Sequence, residues 1–160
     1  MKEVGIKIEL TKFQYVIKML YNTEITELLK SKNIKSTAMR ILVLQFFLSL
    51  DRAVSLHDLE EKFHFSERTT LYRTLKTFAN KGLVHQINDG TSSTKYALCD
   101  DSCSSHNHTD VHPHFYCEAC KSTTCLSSIA IPEIELYGKF NIHRTEFILK
   151  GVCDVCNSVA

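Results

Sequence analysis

Apolar positions recur at helical spacing through the first eighty residues and then shift to the shorter period of strands. Ile6, Leu10, Phe13, Ile17 and Leu20 fall at steps of four and three, so residues 1–22 read as a helical N-terminal extension, although the β-branched Ile6-Lys7-Ile8 start competes with that reading. Thr23 to Asn33 predicts a short helix with Ile25, Leu28 and Leu29 on one face, and Ser36 or Thr37 caps a second, strongly apolar helix that runs through Leu50. Ser55 is the predicted N-cap of a third helix, with Leu56, Leu59 and Phe63 turned inward. Ser66 is the predicted cap of a fourth that runs to Lys81 and stops at Gly82. Leu83-Val84-His85-Gln86-Ile87 and Thr94-Lys95-Tyr96-Ala97-Leu98 are β-prone runs around an Asn88-Asp89-Gly90 turn. Helices followed by a small hairpin predict a winged helix-turn-helix over residues 23–98. Further along, His114 to Cys117 and Thr145 to Lys150 predict strands flanking a helix that begins at Pro132 and ends near Phe140.

The fourth helix divides into two faces. At about 100° per residue, Leu71, Leu75 and Phe78 lie together, with Thr69, Arg73 and Lys76 opposite and Tyr72 on the flank. Such a polar face supplies phosphate contacts and, from Arg73, a bidentate contact to a guanine edge in the major groove. An ordinary solvated face would carry the same residue types, so the pattern alone leaves both readings open.

Composition adds an asymmetry. The net charge is only +1, yet residues 1–98 carry 15 Lys+Arg against 10 Asp+Glu, and residues 99–160 carry 4 against 8. All seven cysteines lie in the acidic part, which puts a domain boundary near Leu98. The chain contains no apolar run long enough to cross a bilayer, and its N-terminus lacks the features of a signal peptide. A cytoplasmic location is expected, and there an odd number of cysteines argues for metal ligation over a disulfide framework.

The cysteines form two CxxC pairs, Cys117/Cys120 and Cys153/Cys156. Four thiolates at two such turns meet the requirement of a closed tetrahedral zinc site, which stabilises and does not catalyse. Just before the first pair stands a histidine-rich run, His106 to His114, and these histidines with the remaining cysteines are candidates for a second, more labile site. An enzyme is not expected. Zinc deaminases need a His-x-Glu before a Pro-Cys-x-x-Cys, and neither element is present in that form. A thioredoxin-like motif would place one CxxC at the start of a helix, whereas both pairs here adjoin predicted strands.

Several separated motifs then occur in a telling order: Thr37-x-x-Arg40, Thr69-Thr70-Leu71-Tyr72-Arg73-Thr74-Leu75, Gly82-Leu83-Val84, Tyr96, His112-x-His114-x-x-Cys117-x-x-Cys120 and Gly151-x-Cys153-x-x-Cys156. Over residues 24–156 the chain resembles the ferric uptake regulator family of metal-responsive repressors. The resemblance implies an α+β protein: an N-terminal winged-helix DNA-binding domain, then a small α/β dimerisation domain at residues 99–160. It also implies a homodimer that binds a palindromic double-stranded operator under metal control and governs metal uptake genes. Thr69, Thr70, Tyr72, Arg73 and Lys76 are its candidate DNA contacts.

The resemblance also marks departures. Where iron- or peroxide-sensing members carry an acidic ligand after the wing, this chain has Ala97; the acid five positions beyond the second CxxC cysteine is Cys125, and the histidine before the third helix is Ala53. His85 and Cys99 match ligand positions of the family's zinc uptake regulators. A regulatory site drawn from His85, Cys99, His112, His114 and Cys125 is rich in imidazole and thiolate, which favours Zn²⁺ over Fe²⁺ or Mn²⁺. Five candidates exceed four positions, so whether both His112 and His114 ligate stays open. The alternative is an iron- or peroxide-responsive regulator of the same family. Cys103, His106 and His108 lie in a polar loop, Asp100 to Asp110, open to three roles: binding a further metal, donating to the regulatory site in place of a histidine, or simple solvation, the last being the reading for His106 and His108; His57, His64 and His143 read as surface or packing histidines.

Overall fold

A computed structural model describes residues 22–99, 112–131, 138–142 and 145–158. The predicted N-terminal extension, the 100–111 loop with Cys103, His106 and His108, and the helix expected from Pro132 therefore lie almost wholly outside the described residues. The described end of that predicted helix, Gly138 to Phe140, is not helical.

The first described element, α1, covers residues 22–31. Asn33 takes a left-handed conformation (φ 54°) just beyond it, and Ile34 then turns into the core. Helix α2 spans Ala38–Leu48; Thr37 is its N-cap and accepts from the Arg40 N–H, so of the two predicted caps the second is used. Strand β1 (Val54–Ser55) leads into α3 (Leu56–Lys62), where Ser55 and Asp58 form a reciprocal capping box. Helix α4 spans Arg68–Asn80, with Glu67 at the N-cap position and no side-chain capping bond. The prediction of Ser66 was one residue early: Ser66 N–H donates to the Phe63 carbonyl in the turn leaving α3, and the first α4 bonds run back to the Glu67 carbonyl. Gly82, at φ 65°, closes the far end as expected.

Strands β2 (Val84–Ile87) and β3 (Lys95–Leu98) form the predicted antiparallel hairpin, and β1 adds to its other side in the order β1-β3-β2. One face of this wing carries Val84, Tyr96 and Leu98 into a core with Leu29, Val43, Leu44, Phe47, Leu59, Leu71, Leu75 and Phe78. Burying those side chains is what holds the helices to the sheet.

The second sheet has the order β5-β4-β6, from β4 (His114–Cys117), β5 (Thr123–Cys125) and β6 (Ile148–Gly151). β4 pairs antiparallel with β5 and parallel with β6. The last strand lies three residues later than the predicted start at Thr145, because its pairing with β4 begins at Ile148. A one-turn helix α5 (Asp154–Asn157) follows. This helices-then-wing half followed by a small sheet is the α+β architecture expected.

Candidate metal centres and nucleic-acid interface

The two CxxC pairs meet because β4 and β6 run parallel. Their register sets Cys117 beside Gly151, and the chain then delivers Cys153 as the N-cap of α5 and Cys156 within it. On the other side, Lys121 adopts φ 63° and its N–H returns to the Cys117 carbonyl at 2.9 Å, folding the Cys117–Cys120 turn back on itself. Ligand atoms of all four cysteines lie within 4.8 Å of one another, with Cys120 and Cys153 sulfurs 4.0 Å apart. A tetrahedron of ~2.3 Å Zn–S bonds has sulfurs about 3.8 Å apart, so the donor set fits zinc. The Cys153 N–H donates to Cys117 Sγ at 3.3 Å; that bond and others from the neighbouring backbone lower the Cys117 thiol to about 6. Cys156 is pushed up to about 12, chiefly by its hydrogen bonds with Cys153 and Cys120.

The second cluster spans the two halves of the molecule. His85 lies on β2 of the wing, His114 on β4, Cys125 on β5, and His112 just ahead of β4. Extended backbone returns a side chain to the same face every second residue, and Pro113 keeps His112 extended, so His112 and His114 face the same way. Register sets His114 directly opposite Cys125. The ligand atoms of His85, His112, His114 and Cys125 all lie within 4.8 Å of one another. His85 Nε2 is 3.0 Å from His114 Nε2 and 3.8 Å from Cys125 Sγ, close to the ~3.3–3.8 Å edges of a tetrahedral nitrogen and sulfur site.

Of the five residues predicted for this site, the structure brings four together. Cys99 stands on the opposite edge of the His85 ring, with Sγ 3.7 Å from Nδ1. An imidazole that presents Nε2 to an ion carries its proton on Nδ1, and Cys99 is the acceptor within reach of it. Ala53 and Ala97, where the resemblance led one to expect His and an acid, are buried beside the cluster with Ile87, against Cys125 and Ile148. Apolar packing stands there in place of the expected nitrogen and oxygen donors.

On α4, Leu71, Thr74, Leu75 and Phe78 are buried, while Thr69, Thr70, Tyr72, Arg73 and Lys76 are exposed as predicted. Among the described residues no ion pair engages Arg73 or Lys76. Arg68, by contrast, is held by Glu60 at 2.6 and 2.7 Å, which ties α4 to α3. Arg40 of the Thr-x-x-Arg motif is likewise structural: it donates to the Lys35 carbonyl and reaches Thr77 on α4.

A model of the ferric uptake regulator family matches residues 31–152. The chain belongs to that family. Its members are metal-responsive transcriptional regulators and not enzymes. The peroxide operon regulator of Bacillus subtilis (strain 168) is 26% identical over 144 residues, covering 84% of this chain and 92% of the relative. Among solved structures, a zinc uptake regulator complexed with zinc and DNA aligns at a TM-score of 0.58 and 19% identity, covering 86% of this chain and 93% of that one. The Vibrio cholerae ferric uptake regulator aligns at 0.55 and 16%, covering 80% and 98%. At these identities the structural likeness establishes the fold. Among the described residues no helix is long and apolar enough to cross a membrane.

Three elements escaped the reading of the sequence: β1, β5 and α5. A buried polar group between the halves also escaped it. Asp89, read as a turn residue, is buried and bonded to Lys95 and Thr123, and only the spacing of Lys95 two positions before Ala97 hinted that it shares a strand face with interface residues.

Proposed function

We propose that this protein is a zinc-responsive transcriptional repressor. In this reading Cys117, Cys120, Cys153 and Cys156 hold a structural zinc ion, and His85, His112, His114 and Cys125 hold a regulatory one across the hinge. The observation that carries it is the convergence, within 4.8 Å, of a donor from the wing with three from the second sheet. Three imidazoles and one thiolate suit a tetrahedral, borderline-soft ion, and the alanines at 53 and 97 remove the oxygen and nitrogen donors an iron site would use. Zinc, when bound, supplies a centre shared by both halves. His85 moves with the wing, and Gly82 joins the wing directly to α4; holding His85 therefore holds the orientation of the helix that carries Thr69, Thr70, Tyr72, Arg73 and Lys76. In a homodimer, one such orientation matches the two half-sites of a palindromic operator, and a coupling of about 1–3 kcal/mol changes operator affinity about 5- to 150-fold. Cys99 supports His85 through Nδ1.

The test uses the full chain carrying only its structural metal. Zinc addition is expected to bring the content to about two ions per chain and to tighten operator binding, with Fe²⁺ and Mn²⁺ weaker. Operator affinity indifferent to zinc overturns the proposal. A second reading, an iron- and peroxide-responsive regulator, is favoured by the 26% identity to a peroxide operon regulator; it requires iron-dependent operator binding that peroxide abolishes.

A further inference from the structure

Two sheet faces meet between the halves of the molecule. On the wing, His85 stands opposite Ala97 and Ile87 opposite Lys95. On the second sheet, His114 stands opposite Cys125 and Tyr116 opposite Thr123. Directly opposed residues share a face, and alternate residues along a strand return to it. The donors His114 and Cys125 therefore share one surface with Tyr116 and Thr123, one rung away.

That neighbouring rung is polar and buried. Lys95 Nζ lies 2.8 Å from Asp89 Oδ2, donates to Thr123 Oγ1 at 2.9 Å and to the Lys121 carbonyl at 2.7 Å, and sits 4.9 Å from the Tyr116 ring centre. The Thr123 hydroxyl donates to Asp89 Oδ2 at 2.6 Å, and the Ala53 N–H donates to the Thr123 carbonyl at 2.7 Å. The Asp89 side chain is 0% exposed and that of Lys95 11%. Burial opposes the Asp89 charge, but hydrogen bonds from Lys95, Thr123 and Thr91 outweigh it and hold the carboxyl well below the usual carboxylate range. Among the described residues, the apolar cluster beside these rungs is small: Ala53, Ile87 and Ala97, packed against Cys125 and Ile148. Apolar contact of that size is non-directional and does not select one alignment of the sheets; a buried, fully bonded ion pair does.

We propose that Asp89, Lys95 and Thr123 are positioning residues for the hinge cluster: they clamp β5 to the wing so that Cys125, two residues from Thr123, is held against His85 before an ion arrives. This rests on the reading of the hinge cluster as a metal site. With the clamp in place, the cost of aligning the two halves is met by protein contacts. Without it, that cost falls on metal binding and weakens it, while the four-thiolate site, built within the second sheet and α5, is untouched.

Thr123→Val keeps the side-chain shape and removes the hydroxyl, and Thr123→Ser returns the hydroxyl. In full-length protein carrying its structural zinc, competition with a chelating indicator is expected to show hinge-site zinc affinity reduced roughly five- to tenfold in Thr123→Val and restored in Thr123→Ser. With Co²⁺ as the probe, the thiolate-to-metal absorption of the hinge site should keep its shape but rise at higher cobalt concentration. Retention of the four-thiolate zinc against chelator should be equal in all three proteins. Wild-type affinity in Thr123→Val, or failure of Thr123→Ser to restore it, overturns the clamp alone. Wild-type protein that takes up no second ion overturns the metal-site reading and the clamp with it. If circular dichroism shows Thr123→Val unfolded, Asp89→Asn, which removes the charge at equal size, carries the same expectation.

Discussion

The two candidate metal clusters, one of four thiols and one of three imidazoles and a thiol, differ most in what they connect. Cys117, Cys120, Cys153 and Cys156 come from one sheet and the helix that follows it, joined by a parallel register and two tight turns. His85, His112, His114 and Cys125 come from opposite sides of a hinge. An ion held within one substructure changes its stability, whereas an ion held between two changes their relative orientation. On the proposed function, the same tetrahedral preference would yield a clamp in one place and a sensor in the other.

The comparison breaks most visibly at the first cluster. Cys117→Ser is expected to abolish the structural metal and unfold the second sheet, since such a site contributes on the order of 10 kcal/mol to folding. Metal analysis and thermal melts followed by circular dichroism check this, and a variant that keeps wild-type melting would show the clamp to be dispensable. His85→Ala should do the reverse. Hinge-site zinc affinity should fall by roughly 100-fold or more, beyond what loss of a supporting partner causes, and operator binding should stop responding to zinc while melting of the second sheet is unchanged. Gel-shift titration across zinc concentrations reads this directly.

Arg73→Ala touches neither cluster. It should weaken operator binding by about 1–3 kcal/mol with and without hinge metal, and both zinc ions should remain. Cys99→Ala sharpens the boundary of the second cluster: a supporting partner of His85 predicts a loss of zinc affinity of about tenfold to 100-fold with the thiolate-to-cobalt band retained, whereas a direct ligand would change that band. Smallest is a pH effect at the interface. The folded Asp89 carboxyl sits below its unfolded value of about 3.9, so its contribution is present above that pH and is lost as pH falls below it. From about pH 4 downward, wild type should lose stability more steeply than Asp89→Asn in acid titrations monitored by circular dichroism.

Local chemistry was legible in the chain itself. Three- and four-residue periodicity located α1 to α4 to within a few residues, Ser55 and Gly82 marked ends correctly, and alternation located the wing hairpin. These signals act over a few residues, where backbone sterics and capping dominate. Ser66 was misjudged because its backbone N–H closes the turn leaving α3 and α4 begins without a side-chain cap, and β5 and α5 are too short for a periodic signature. The CxxC spacing likewise named the four-thiolate cluster, because each pair is closed by one local turn.

Tertiary structure alone decided the rest. Which four of five hinge candidates converge depends on how two sheets face each other, and Cys99 lies on the Nδ1 edge of His85 because β3 ends beside β2 there. No local pattern marks Asp89 as buried, since its charge is balanced by Lys95, six positions on, and by Thr123 of the other sheet. The sequence by itself determined the four helices, the wing hairpin, the paired CxxC motifs and the family; the orientation of the halves, and with it the geometry of the hinge cluster, is set by through-space contacts between residues far apart in the chain.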